Sequence, residues 1–476
     1  MDRLDGFMKY NRQTAPYRPV SERIHDYNDI NTYLVEQDIY KQAARCMDCG
    51  IPFCHSLGCP LNNIIPDLNK LVSQGRWEEA LRRLENTNML PEITGRICPA
   101  LCEAACTLSI NNSPVTIKQI ELAIIEKGYK EGWVKPIIPK LENNKRIAII
   151  GSGPSGLAAA QVLRMKGYDV TVFEKSFGLG GILRYGIPNY KLEKWVIDRR
   201  IELMRKSNIK FETDVNIGED ISYRYLKTRF DAILLTTGVG SPRDLQIPGR
   251  EAKNIHFALD YLQKSNCFLS NEISLEDSIS VENKSVVVIG GGDTGSDCVG
   301  IAIRQKAKEV LQIEIMPKPK EWNFSWNPEW PLWPMILRTS SSHEEGAKRE
   351  WSILTKKFIK EGNKLCGIHC SRLEWIQSGN SSSLKMVEIP GSDFIIEADL
   401  VLLALGFVNS EYQKLIEDIK VDRDEKGNIK IYAKYMTSVN GVFAAGDVNT
   451  GISLVVKAIF QGRESAKAID EYLSKI

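Results

Sequence analysis

Nowhere in its 476 residues does the chain approach the roughly 18 consecutive apolar residues that a membrane-crossing helix needs, so no membrane partner is expected. The opening stretch, Met1 to Gln13, carries charges where a secretory signal has an apolar core, and a cytoplasmic protein is expected. Neither sign of charge is in excess. With 62 Lys and Arg against 60 Asp and Glu, net charge gives no reason to expect a nucleic acid. Disulfides are also unexpected: the 11 cysteines are odd in number and crowd between Cys46 and Cys106, which in a reducing compartment points to metal. The length is enough for about three domains.

The most informative stretch runs from Arg146 to Lys175. A β-branched run, Ile147 to Ile150, leads into the tight turn Gly151-Ser-Gly153-Pro154-Ser155-Gly156, and Leu157 to Lys166 follows with helical spacing of Leu, Ala and Val. A strand, a glycine turn and a helix in this order cradle a dinucleotide, with backbone amides and the helix N-terminus turned toward its pyrophosphate. A second strand, Val170 to Phe173, ends on Glu174 and Lys175, where an acid takes ribose hydroxyls.

The pattern recurs. Lys284 to Ile289 leads into Gly290-Gly-Gly292-Asp293-Thr294-Gly295, and Val310 to Ile313 ends on Glu314. This second unit is expected to hold a nicotinamide dinucleotide, with Asp293 and Thr294 near its pyrophosphate and Gly406, after the apolar run before it, beside the nicotinamide. An acid at Glu314 bonds a ribose 2′-hydroxyl and repels a 2′-phosphate, so NADH is favoured over NADPH; Lys318 and Lys320 are the residues that can offer a phosphate site instead. The run Asp231 to Gly238, ending in Thr237 and Gly238, and the run Gly441 to Asp447, ending in Gly446 and Asp447, read as buried strands whose ends reach the first dinucleotide. The carboxylate of Asp447 can accept from hydroxyls of that dinucleotide. Lys385 to Asp399 reads as paired strands. Glu321 to Pro334 holds four tryptophans among prolines that forbid a regular helix, and is expected as a large loop packed on its own domain, with a partner-subunit anchor as the other reading.

The cysteines fall into two groups, Cys46-x-x-Cys49-x4-Cys54-x4-Cys59-Pro60 and Cys98-Pro99-x-x-Cys102-x3-Cys106, joined by the amphipathic spacer Ile64 to Leu84. Thiolates this close converge on one cluster, and Cys-Pro is a ferredoxin feature. Structural zinc and buried free thiols are the other readings, but seven sulfurs suit two iron–sulfur clusters with one further ligand better than a four-ligand zinc site.

The sequences Cys46-Met-Asp-Cys49-Gly-Ile-Pro-Phe-Cys54, Thr94-Gly-Arg-Ile-Cys98-Pro99, Cys102-Glu-Ala-Ala-Cys106 and Pro114-Val-Thr-Ile-Lys118 resemble the glutamate synthase small-subunit family and the N-terminal part of dihydropyrimidine dehydrogenase. The resemblance continues to the C-terminus. It implies an α/β fold: two Rossmann-like domains of glutathione-reductase type, preceded by an α-helical iron–sulfur domain. It implies domains at 1–140 for two [4Fe–4S] clusters, 145–255 with 408–476 for FAD, and 256–407 for NAD(P)H. Cys46, Cys49, Cys54 and Cys106 would hold one cluster; Cys59, Cys98 and Cys102, completed by Glu121, the other. His55 is expected to be a bystander. Gly180, Gly181, Ile182 and Lys191 match flavin-contacting positions. The implied activity oxidises NAD(P)H at FAD, without a side-chain acid or nucleophile, and sends electrons through the clusters to a large subunit that bears FMN and a glutaminase. The alternatives are a relative serving another acceptor, such as ferredoxin, a pyrimidine or a sulfur compound, and a non-catalytic, zinc-bearing nucleotide sensor.

Overall fold

The structure, a computed structural model, describes residues 5–377, 384–409 and 413–475. Among them no helix is long and apolar enough to cross a membrane. The cysteine region folds as short helices, Glu36–Ala44, Ile65–Ser73, Trp77–Glu85, Pro91–Ile97 and Ile117–Lys130. In Trp77–Glu85 the residues Trp77, Ala80, Leu81 and Leu84 recur on one face, and all four are buried. Prolines open two of these helices, where a missing N–H costs nothing.

Arg146–Ile150 is the central strand of a five-stranded parallel sheet. Its neighbours are Asp169–Phe173 and then Lys210–Glu212 on one side, Ala232–Leu235 and then Val442–Ala444 on the other. The central strands are near-continuous apolar runs because helices cover both faces. Since Val442–Ala444 pairs with Ala232–Leu235, the chain leaves this sheet and returns to it about two hundred residues later. The helices Pro154–Met165 and Val455–Leu473 pack together so closely that a Cβ on Gly462 would lie 2.1 Å from the Ser155 carbonyl oxygen.

The intervening chain repeats the arrangement in a second parallel sheet, in the order Ile255–Phe257, Leu400–Leu403, Ser285–Ile289, Glu309–Ile313, Lys348–Glu350. The passage between the two folds is a ribbon of Ser241–Pro242 against Phe407–Asn409. Leu245, Ile247 and Ala252 already pack into the core of the second fold, so that core begins ahead of residue 255. The expected pair within Lys385 to Asp399 is arranged differently. Leu384–Glu388 and Phe394–Glu397 each pair with the 14-residue strand Lys364–Gln377, which is long enough to take both, and not with each other.

The tryptophan-rich loop does not stay on its own domain. Trp322 stacks edge-on against Phe324 and Trp326, but the Asn327 N–H donates to the Ser109 carbonyl at 2.7 Å and its side chain donates to Ala104 at 2.9 Å. The indole of Trp330 donates to the carbonyl of Cys106 at 3.1 Å and packs on Phe53, ring centres 4.9 Å apart. The loop has therefore found its apolar partner in the cysteine region.

The N-terminal segment braces the second fold. Arg23 and Arg304 share the buried carboxylate of Glu345, at 2.8 Å from Arg23 Nε and 2.5 Å from an Arg304 terminal nitrogen, while the Ile30 N–H donates to Tyr190 at 3.1 Å. The Arg304 and Glu345 side chains are 0% exposed, so removing one charge strands the others without solvent. Glu345→Gln should destabilise the protein by about 3–5 kcal/mol. Glu344→Gln, on the exposed side of the same Arg23, should cost under about 1 kcal/mol. Thermal denaturation midpoints of the two variants check this; equal midpoints would contradict it.

Candidate functional site

A cleft of about 1510 Å³ runs between the two sheets and ends against the cysteine region. Both glycine turns open into it. Gly151 has φ +106°, and a Cβ there would lie 2.5 Å from the Thr236 carbonyl oxygen, so only glycine makes this turn. Next along, Gly153, Pro154 and Ser155 form the cleft wall at the start of the Pro154–Met165 helix. Ser155 is 4% exposed, yet its hydroxyl has no hydrogen-bond partner in the protein. A buried hydroxyl at a helix N-terminus, facing a cleft and unpaired, fits a ligand phosphate.

Glu174 is held from below: its carboxylate accepts from the Ser152 N–H at 3.0 Å, the Ser152 hydroxyl at 2.6 Å and the Ser176 N–H at 3.0 Å. Glu174 and Lys175 face the cleft, as do Thr237 and Gly238, and, from the glycine-dense loop, Gly181, Ile182 and Lys191. Gly446, packed against Ser155, and Asp447 continue the wall. The Asp447 carboxylate accepts from the Ser453 hydroxyl at 2.7 Å, and burial pushes its carboxyl up to about 6. The donors and acceptors along this wall fit an adenine dinucleotide with a ribityl chain.

The second fold contributes Gly292, Asp293 and Thr294 to the same cleft. Lys191, from the first fold, forms an ion pair with Asp297, about one turn into the Asp293–Arg304 helix, so the folds are tied where the two dinucleotides would meet. Asp297 was absent from the sequence reading. Its signal is an acid inside the otherwise small and apolar run of that helix.

Six of the expected residues stand behind the cleft wall. A Cβ on Gly156 would lie 2.0 Å from the Gly151 carbonyl oxygen and one on Gly295 2.3 Å from that of Gly290, so glycine lets each helix pack on its turn, and the Gly290 carbonyl accepts from Gln312 at 2.7 Å. The Gly180 N–H donates to the Ser152 hydroxyl at 2.9 Å. Glu314 accepts from the N–H groups of Gly291 and Met316, and the Gly406 carbonyl takes the Arg243 N–H at 2.8 Å, leaving Phe407 on the wall. These six shape the turns that the neighbouring residues present.

The cysteines gather in two places. Cys59, Cys98, Cys102 and Glu121 line one small cavity. Burial pushes the Cys98 thiol up to about 11 and Cys59 to about 12, and raises that of Cys102 as well. Glu121 is buried, accepts from Asn63 at 3.0 Å, and is pushed up to about 7 by burial. At the second place Cys54 is raised by burial and then by the neighbouring Cys106, Cys46 and Cys49. Buried sulfurs in groups, whose ionised forms lack a compensating charge, fit a cationic metal centre that would deprotonate them. Among the described residues no three such side chains have the spacing of a single-ion site. His55 contacts the Asn63 carbonyl at 2.9 Å.

The sign of one pH effect follows from Asp447. Its carboxyl titrates near 6 in the fold against about 3.8 unfolded, so the folded state holds its proton longer, and dinucleotide-free protein loses stability as pH rises from about 4 to about 6. The gain in thermal midpoint from Asp447→Asn should therefore grow across that window. A gain independent of pH would contradict it.

Comparison with known proteins agrees with this geometry. The pyridine nucleotide-disulphide oxidoreductase family model matches residues 145–462, and that of dihydropyrimidine dehydrogenase domain II, 4Fe-4S cluster, matches residues 23–133. The chain is 46% identical to the glutamate synthase [NADPH] small chain of Mycobacterium tuberculosis, over 98% of this chain and 95% of that one. It is 43% identical to the small chain of Bacillus subtilis, over 99% of both. It is also 45% identical to glutamate synthase [NADH] of Schizosaccharomyces pombe, over 99% of this chain but 23% of that much longer protein. Among solved structures, FprA of Mycobacterium tuberculosis in complex with NADPH shares the fold, with TM-score 0.54 and 16% identity over 70% of this chain and 85% of that one. A two-sheet dinucleotide cleft that meets a cysteine-lined cavity, in a chain matched over nearly its whole length, makes this chain a member of the glutamate synthase small-chain family of FAD and iron–sulfur oxidoreductases.

Proposed function

We propose that the chain oxidises NADH and delivers the electrons to the large subunit of a glutamate synthase, which makes glutamate from glutamine and 2-oxoglutarate. The observation that carries this reading is the shared cleft: Ser155 and Asp447 of the first fold, Asp293 of the second and Cys98 of the cysteine region all stand on its wall. Bound FAD would take hydride from the nicotinamide and release electrons one at a time.

The protein's own part is placement. Ser155, the surrounding amides and Asp447 hold the flavin nucleotide; Gly292 to Thr294 hold the nicotinamide donor; the Lys191–Asp297 pair keeps the two folds in register. No side chain is asked to move a proton. Two [4Fe–4S] clusters, one on Cys59, Cys98, Cys102 and Glu121 and one on Cys46, Cys49, Cys54 and Cys106, would carry single electrons outward. The first group takes the inner position, because Cys98 lines both its own cavity and the cleft. The second takes the outer, where Cys49 and Cys54 are partly exposed and Ile51 is 73% exposed. The acceptor is a large subunit that bears FMN and the glutaminase. A cytoplasmic location suits this biosynthetic role.

NADH is favoured over NADPH because Glu314, held by two N–H groups behind the cleft wall at the end of Glu309–Ile313, would set a carboxylate against a 2′-phosphate. The lysines that would answer a 2′-phosphate are engaged elsewhere: Lys318 pairs with Glu321 at 2.5 Å, and Lys320 lies 4.8 Å over the Trp322 ring. Relatives named for either nucleotide are about equally similar, so family membership does not decide the matter.

The test of the function is reconstitution. Purified chain, large subunit, glutamine, 2-oxoglutarate and NADH should form glutamate, with NADH consumed in step. NADH-to-dye activity without any glutamate in the complete mixture would contradict the assigned acceptor. For the nucleotide, Glu314→Ala should raise the ratio of kcat/KM for NADPH over NADH by about tenfold, or ~1.4 kcal/mol. An unchanged ratio, or a wild-type chain that prefers NADPH, would overturn the assignment to Glu314.

A further inference from the structure

We infer that Lys118 is a positioning residue for electron entry: its ammonium raises the reduction potential of the cluster site formed by Cys59, Cys98, Cys102 and Glu121. This rests on the reading above, in which those four residues hold the inner cluster.

The argument begins with the wall between the cleft and the inner cavity. Thr94, Cys98, Leu101, Lys118 and Val456 line both spaces, and Lys118 is the one cation among them. It is placed there by helix geometry. Lys118 and Glu121 stand three apart in the first turn and a half of Ile117–Lys130, so their side chains share a face, and both line the inner cavity. The start of that helix is pinned, since the Lys118 N–H donates to Glu103 at 3.0 Å and the other Glu103 oxygen is held by Arg12 at 2.5 Å. The nearby carboxylate is therefore already engaged by Arg12 and by the backbone.

The electrostatic consequence has a definite sign. Three thiolates and a carboxylate leave the inner site net negative, and each added electron makes it more so. A fixed cation on its rim stabilises the reduced form more than the oxidised form, and net charge is one of the main determinants of such potentials. The step concerned moves one electron from the reduced flavin to the oxidised inner cluster; no bond forms or breaks. Because Lys118 lines the inner cavity and no cysteine of the outer site does, its effect falls mainly on one of the two clusters.

The experiment is an anaerobic redox titration of the holoprotein, followed by electron paramagnetic resonance, on wild type, Lys118→Met, Lys118→Gln and Lys118→Arg after iron and sulfide analysis. Lys118→Met should lower the potential of one cluster by at least a tenfold change in its one-electron equilibrium, about 59 mV, and leave the other in place. Lys118→Gln, which keeps the polarity and fills the same space, should do the same if the methionine variant does not load its clusters. Lys118→Arg should return the potential to near wild type. The rate at which NADH bleaches the flavin should be unchanged in all three. Unmoved potentials in the neutral variants, an equal shift of both clusters, or an arginine variant that behaves like methionine would overturn the role of Lys118. Wild-type protein without two clusters would refute instead the reading on which it rests, so the two failures are distinguishable.

Discussion

The arrangement depends on one continuous apolar core that crosses from the cysteine helices into the first dinucleotide sheet. Leu68, Trp77, Leu84 and Ile93 on one side belong to the same packed body as Ile147, Leu163, Val196 and Ile469 on the other. Polar contacts fix the register of that packing: Arg200 holds Glu92 at 2.6 and 2.8 Å in a site closed to water, Gln161 donates to the Met89 carbonyl at 3.0 Å, and Arg463 donates to Leu61 at 3.1 Å. A close-packed interior transmits position with little slack. The distance from the cleft to Cys98 is therefore set by the fold itself, and no linker motion is needed to bring the inner cysteine site to the flavin cleft.

The second dinucleotide fold is attached in a different way. It shares little core with the first, and its position is set by the ribbon at Ser241–Pro242, by Lys191 with Asp297, and by the N-terminal segment that reaches Arg304 and Glu345. The tryptophan-rich loop adds a contact on the far side, from Trp330 to the carbonyl of Cys106. The nicotinamide side is thus gripped at both ends by chain that belongs to the cysteine region. A hydride donor must stay aligned with its acceptor, and these ties supply that alignment without a catalytic side chain.

Much of this was legible in the sequence because the signals are local. The turns at Gly151 and Gly290 take φ values of +106° and +121° that glycine adopts freely, and the helices of the cysteine region carry their apolar periodicity on their face. The parts that were not legible are contacts between distant segments. Asp297 reads as one more residue of a helix until Lys191, more than a hundred residues earlier, is placed beside it. Lys118 gains its meaning only from two cavities that meet at its side chain. The tryptophans announced an apolar surface, but composition does not say which surface they cover. Of the six expected residues found behind the cleft wall, Glu314 is the instructive one: a carboxylate expected to face a ligand is first of all a bracket for the Gly291 turn.

The central claim is that electrons leave the cleft by way of the site at Cys98. The most direct test removes that ligand alone, as Cys98→Ala, and compares the loaded variant with wild type in the presence of the large subunit, glutamine and 2-oxoglutarate. The account predicts that NADH still bleaches the flavin at the wild-type rate while glutamate formation falls by at least about a hundredfold, some 2.7 kcal/mol in the coupled step. Glutamate formed at the wild-type rate in a variant shown to lack the inner cluster would contradict it.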